Sequence, residues 1–153
     1  MPTVFQPDFR MPRGTVEHTG APITAEDTQD YFTEVATDYS AWSPSYNMHF
    51  GFWRAGLNPL RREGMLVEMN RMVGRALRLD DAPRRCVIDM GCGAGATART
   101  LVGDHASLYA ITVTNVAVQN RIAAKLDAAA GVADRMAHIE ADYTRTGLPA
   151  AQA

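Results

Sequence analysis

The hydrophobic and polar positions of this chain change their period as one moves along it. Residues 1–22 hold no sustained period and carry Pro2, Pro7, Pro12 and Pro22 with Gly14 and Gly20, which reads as a flexible arm. At Thr24 the pattern turns helical. Thr24-Ala25-Glu26-Asp27 can cap a helix and put carboxylates in its first turn, where the helix dipole favours them. Tyr31, Phe32, Val35, Ala36 and Tyr39 follow at helical spacing, so one aromatic face of a helix over about 25–40 should be buried.

Pro44 ends that pattern, and the segment Trp42 to Trp53 is unusually aromatic for a loop. It either packs on the core or covers a bound ligand. Asn58-Pro59 offers an N-cap and a first-turn proline for a second helix. On that helix Met65, Leu66, Met69, Met72, Val73, Ala76 and Leu77 form one stripe, with Arg61, Arg62, Arg71, Arg75 and Arg78 largely off it. A methionine-rich stripe of this kind reads as core packing.

Beyond Pro83 the period shortens. Cys86-Val87-Ile88-Asp89-Met90 is a short apolar run of the type buried on both faces of a parallel sheet. It runs into Gly91-Cys92-Gly93-Ala94-Gly95 and a helix of small residues closing near Gly103. Leu108 to Val113 reads as a second strand, Val116 to Ala130 as an alanine-rich helix ended by Gly131, and Met136 to Glu140 as a third strand. Alternating strands and helices predict an α/β fold with three parallel strands in one sheet. The expected organisation is thus an arm over 1–22, a helical cap with an aromatic lid over 23–82, and half of a Rossmann-like domain over 83–153.

Composition adds little except exclusions. The chain has 153 residues, 46% hydrophobic and 21% charged, with a net charge of -2, inside the range of globular domains. That balance nominates no nucleic-acid partner. Eight arginines fall between Arg54 and Arg85, which reads as a solvated helix face or as a guide for an anionic partner. Cys86 and Cys92 are the only cysteines and lack the spacing of a metal-binding pair or a disulfide framework. With no apolar run of about 20 residues and no signal-peptide pattern, a membrane span and secretion are not expected, and a reducing cytoplasm is the expected location.

The chemistry concentrates where the first strand ends. A glycine-rich turn between a buried strand and a helix lets backbone approach a ligand closely. Such a turn serves either a dinucleotide pyrophosphate or the amino-acid part of S-adenosylmethionine, and Gly91-x-Gly93-x-x-Ala96 meets the loose dinucleotide pattern. Two positions discriminate. Asp89 would repel a pyrophosphate but could answer an ammonium, or it could simply cap the glycine turn. The second strand ends Ile111-Thr112-Val113-Thr114-Asn115, without the carboxylate that holds a dinucleotide ribose. Asp142, just past the third strand, could accept from an adenine amino group or serve as a turn residue.

Val87 to Gly95 resembles the first motif of class I S-adenosylmethionine-dependent methyltransferases. Asn47 to Trp53, Ile111 to Thr114 and Ala141-Asp142-Tyr143 resemble the branch containing tocopherol, sterol and natural-product sugar methyltransferases. The resemblance implies methyl transfer from S-adenosylmethionine to a small-molecule or lipid-like acceptor, by direct displacement without a metal. It implies that Gly91 and Gly93 line the methionine part of the cofactor, that Gly95 is a further cofactor-binding residue, and that Asp89 orders the loop or meets the ammonium. Thr112 and Thr114 would lie near the ribose and Asp142 and Tyr143 near the adenine. Tyr46, Phe50 and Trp53 would close the site, with His49 contacting the acceptor or removing its proton, or else merely packed.

The sequence departs from that branch in places. The glutamine usual three residues after the strand-end Ser or Thr is Ala117 here, and Gln119 would point about 200° away on a regular helix. The family's sheet has further strands, the fourth beside the first, and the chain ends before that strand. Val87, Ile88 and Met90 would then lie on an open edge, implying the N-terminal part of an enzyme, or a split or non-catalytic subunit needing a second chain. A nicotinamide-dependent oxidoreductase is the more distant alternative.

Overall fold

The computed structural model describes residues 24–81 and 85–148. The arm over 1–22 and Pro83 fall outside them.

Three strands, β1 (Arg85–Met90), β2 (Leu108–Thr114) and β3 (Met136–Glu140), form one parallel sheet in the order β1-β2-β3. Val87 pairs with Ala110, Asp89 with Thr112 and Met90 with Val113, while Thr112 pairs with His138. Two helices make the crossovers: α4 (Ala96–Asp104) between β1 and β2, and α5 (Ala117–Ala129) between β2 and β3. Both pack on the same sheet face. Leu101 and Val102 of α4 meet Leu108 and Ala110 of β2 and Val132 beyond α5, with Val87 and Met136 against them.

The opposite face is open, which corrects the expectation that β1 is buried on both sides. Its exposure alternates along the strand: Ile88 and Met90 are 45% and 54% exposed, and Tyr109 beside them on β2 is 50% exposed. Val87 lies on the other face and packs on the core. Among the described residues β1 has no strand on its outer edge.

The cap precedes the sheet. α1 (Ala25–Glu34) starts at Thr24, whose hydroxyl accepts from the Asp27 N–H while the Asp27 carboxylate accepts from the Thr24 N–H. The single helix expected over 25–40 is divided. A 3₁₀ turn over Val35–Thr37 separates α1 from the short α2 (Tyr39–Trp42). Val35 and Ala36 are buried, but Tyr31 is 49% exposed, so the buried aromatic face is not continuous. The turn breaks the helical period before Tyr39 can extend it.

α3 (Arg62–Ala76) starts later than Asn58-Pro59 suggested. The Asn58 side-chain oxygen accepts from the Leu60 N–H and makes a local turn, and no side chain caps the helix at Arg61. Its buried positions are Leu66, Glu68, Asn70 and Gly74, while Val73 and Leu77 of the expected stripe are exposed. Leu66, Asn70 and Gly74 recur every four residues on one buried face, and the last two meet α4, Asn70 through Thr97 and Thr100 and Gly74 against Leu101. Gly74 makes that approach possible, since a Cβ there would lie 2.7 Å from Leu101 Cδ2.

The arginine run is largely taken up inside the cap. Arg54 and Arg75 both bind Oε1 of the buried Glu68 at 2.8 Å, Arg71 pairs with Asp104, and Arg78 with Asp81. The hydrogen bond from Arg54, helped by Arg75, holds the Glu68 carboxyl below its usual range against the opposing effect of burial. Arg62 lies over the Trp42 ring at 4.2 Å. No helix among the described residues is long and apolar enough to cross a membrane.

Candidate functional site

The glycine turn is built by the end of β1 reaching across to β2. The N–H groups of Gly91 and Cys92 both donate to Val113 O, and the Gly95 N–H returns to Cys92 O, so three residues reverse the chain into α4. Gly91, Gly93 and Gly95 have φ of 75°, 55° and 72°. Gly93 has a second reason to lack a side chain, because a Cβ would sit 2.7 Å from the Met48 sulfur of the aromatic segment. Backbone is therefore open to the space above this turn at Gly91, where nothing lies within 4 Å of a Cβ position, while Met48 lies over Gly93.

That space is a cavity of about 530 Å³, within the size range of small-molecule sites. Its floor holds Asp89, Gly91, Cys92, Gly93, Ala96 and Thr97. Thr114, Asn115, Val116 and Gln119 make one wall, and Asp142, Tyr143 and Thr144 another. Thr28 and Phe32 of α1 with Tyr46, Met48 and His49 come from the cap. The Gln29 side chain pins α1 in place by donating to Asn115 O at 2.6 Å.

The electrostatics of the floor are distinctive. Burial pushes the Asp89 carboxyl above its usual range, and the Ala98 N–H in the first turn of α4 pulls only partly the other way. Burial, followed by the charge of Asp89, raises the Cys92 thiol to about 11, so it is not an activated nucleophile. Asp142 behaves oppositely. The N–H and hydroxyl of Thr144 both donate to its Oδ1 at 2.8 Å and hold its carboxyl below the usual range.

Eight of the residues singled out from sequence line one cavity: Tyr46, His49, Asp89, Gly91, Gly93, Thr114, Asp142 and Tyr143. Four do not. Gly95 is buried as the left-handed N-cap of α4, and Phe50 and Trp53 are 82% and 54% exposed away from the cavity. Thr112 is fully buried, and its hydroxyl lies 2.7 Å from Nδ1 of His138. His138 Nε2 is in turn 3.0 Å from Asp127, a line of groups ordered like a catalytic triad but lying outside the cavity lining, with Thr112 and Asp127 fully buried.

Gln119 is the correction with most bearing on the site. It lines the cavity and its side-chain oxygen accepts from the Thr114 hydroxyl at 2.8 Å. The rotation between Ala117 and Gln119 holds, since both lie in α5; the extended Val116 at its N-cap sets which face turns to the strand end, and it is Gln119 rather than Ala117 that meets Thr114.

A polar cluster fixes the aromatic segment, and sequence reasoning missed it. Asn70 of α3 donates to Asn47 and Thr100 and accepts from Thr97, while His49 Nε2 lies 2.7 Å from the same Asn70 oxygen. Asn47 and Ser43 both donate to Glu63. His49 Nδ1 lies 2.9 Å from Phe50 O, so both ring nitrogens face protein partners. The signal was the occurrence of Asn47 and Asn70 among apolar residues, which marks buried polar contacts rather than a dry interface.

The parallel sheet order, the glycine turn after β1 and the two crossover helices form a Rossmann-like α/β fold, open on one sheet face among the described residues. No protein-family model matches the chain. Residues of the chain are similar to an O-methyltransferase of Pyrenophora dematioidea, 34% identical over 88 residues, covering 56% of this chain and 31% of that protein. Among solved structures, the cyclase SpnF is similar over 84% of this chain and 46% of its own, at 21% identity and a TM-score of 0.66. Coclaurine N-methyltransferase, bound to N-methylheliamine and S-adenosylhomocysteine, is similar over 80% of this chain and 39% of its own, at 14% identity and a TM-score of 0.59. Geranyl diphosphate methyltransferase, in complex with geranyl diphosphate and sinefungin, covers 76% of this chain and 48% of its own, at 16% identity and a TM-score of 0.56. The chain thus spans between 31% and 48% of the length of these relatives.

Proposed function

We propose that this chain supplies the S-adenosylmethionine-binding half of a methyltransferase acting on a small-molecule or lipid-like acceptor, with further polypeptide completing the sheet beside β1. The observation that carries the reading is the floor of the cavity. A carboxylate, Asp89, stands among glycine backbone where an anionic pyrophosphate would be repelled and an ammonium would be welcome. The ribose carboxylate of a dinucleotide site is absent from the end of β2, where Thr114 and Asn115 stand instead.

When bound, the cofactor supplies an electrophilic methyl group on a sulfonium sulfur. The protein's part is orientation and exclusion of water. Asp89 would hold the ammonium, and the positive-φ turn at Gly91 and Gly93 lets the methionine part approach backbone. Thr114 and Gln119 form a hydrogen-bonded pair for the ribose, since the Gln119 oxygen is taken by Thr114 and its amide hydrogens are left to donate. Asp142 and Tyr143 stand at the wall for the adenine. The segment carrying Tyr46, Met48 and His49 roofs the site, and His49 holds that roof through Asn70 rather than removing a proton.

The free thiols at Cys86 and Cys92 support a reducing, cytoplasmic setting. The cap over 23–82 and the half-domain over 83–153 are functional divisions in this reading. A second reading, ligand binding without methyl transfer by this chain, has an observation behind it: SpnF, similar in fold, is a cyclase, and a fold does not dictate its chemistry. Competition calorimetry separates these readings from an oxidoreductase. Adenosylhomocysteine should bind and NAD should fail to displace it; tight NAD binding would overturn the proposal, while binding without turnover on any acceptor would favour the second reading.

A further inference from the structure

We infer that Arg99 is a positioning residue that latches the roof of the site to its floor. It belongs to α4 and is 8% exposed, and its guanidinium reaches three separate parts of the molecule. One nitrogen donates to Ala94 O in the glycine turn at 3.1 Å and to Asp127 of α5 at 2.9 Å. The other donates at 2.8 Å to Ser45 O in the cap, 54 residues away in sequence. A planar fork with several fixed donors can make these contacts together, and a lysine ammonium cannot.

The contact to the cap falls beside a strained residue. Tyr46 has φ of 60°, the left-handed region that a tyrosine seldom adopts, and the residue lines the cavity. Its N–H donates to Ser43 O, and the peptide before it is the one whose oxygen Arg99 grips. Strain of this kind persists only where surrounding contacts hold it. Arg99 therefore fixes the backbone that turns Tyr46 into the cavity, and ties that conformation to the glycine turn through Ala94. Asp127 answers the arginine charge, so the latch is neutral in the core. That Tyr46 meets cofactor rests on the function proposed above; the holding of residues 43–50 does not.

The test is amide hydrogen exchange on the purified protein, with adenosylhomocysteine binding measured beside it. Arg99→Lys keeps a positive charge against Asp127 while losing the reach to Ser45. The Tyr46 and Asn47 amides should then exchange roughly ten-fold faster while those of Leu108 to Val113 keep their protection, and adenosylhomocysteine should bind roughly ten-fold more weakly. Tyr46→Asn in the Arg99→Lys background should restore slow exchange at residue 47, because asparagine accepts the left-handed backbone more readily. A merely structural role predicts no such rescue. Wild-type exchange over residues 43–50 in Arg99→Lys would overturn the inference, as would faster exchange of cap and β2 together. Failure of the wild type to bind adenosylhomocysteine would overturn the cofactor reading, and the exchange data would still decide the latch.

Discussion

At the scale of single residues, Asp89 is stabilised by nothing strong enough to offset its burial. Its carboxyl lies above the ordinary range, so the ionised form is disfavoured in the folded protein. The sign follows: the cost is absent at low pH, where the group is protonated in both states, sets in as pH rises through the ordinary carboxyl range, where the unfolded chain ionises first, and is complete above the raised pKa. Asp89→Asn should therefore gain in Tm relative to the wild type on going from pH 4 to pH 7. An unchanged difference across that range would contradict the assignment. A group retained where it harms folding is suited to receive a cationic ligand.

Cys92 offers a second residue-scale prediction. With its thiol raised to about 11 by burial and by Asp89, it should alkylate with iodoacetamide far more slowly at pH 8 than the exposed Cys86. Peptide mapping after brief labelling should find the label at Cys86. Equal labelling of Cys92 would refute the buried floor. Asp89 and the glycines were legible from sequence because they follow a short apolar strand at fixed offsets. Gln119 was not, because its direction depends on the extended Val116 that starts α5 one residue late.

At the scale of elements, the cap is held by close helix packing and polar contacts rather than by its methionines. Gly74 allows α3 to lie against α4. Gly74→Ala gains about 1 kcal/mol of helix propensity but forces a Cβ toward Leu101, an overpacking that costs about 1–3 kcal/mol. Packing should win. Urea denaturation should show a net loss on the order of 1 kcal/mol, and in a double-mutant cycle Gly74→Ala should cost less in a Leu101→Ala background, itself destabilised by the lost core contacts. A stabilised single variant would mean that the two helices are not closely packed. The strands and crossover helices were readable because each is a short run with one period. The cap was misread where a 3₁₀ turn divided a helix and where Asn47, Asn70 and Glu68 faced inward beside Leu66, while Val73 and Leu77 of the apolar stripe did not.

At the scale of the whole molecule, one sheet face is covered by α4 and α5 while the other shows Ile88, Met90 and Tyr109 to solvent, beside a β1 edge that no strand among the described residues pairs. Such a surface promotes association. Light scattering on the purified chain should show self-association that falls when Ile88 and Met90 are both changed to Thr, with adenosylhomocysteine affinity preserved because both side chains lie outside the cavity lining. Undiminished association would place the sticky surface elsewhere.

The central claim is that the cavity floor recognises the amino-acid part of S-adenosylmethionine through Asp89. Isothermal titration of adenosylhomocysteine into the wild type and Asp89→Asn tests it most directly. The prediction is one site in the wild type and binding weakened roughly 10- to 100-fold in the variant, the range for a lost hydrogen bond to a charged group. Equal affinity in both proteins, or no binding by the wild type, would contradict it.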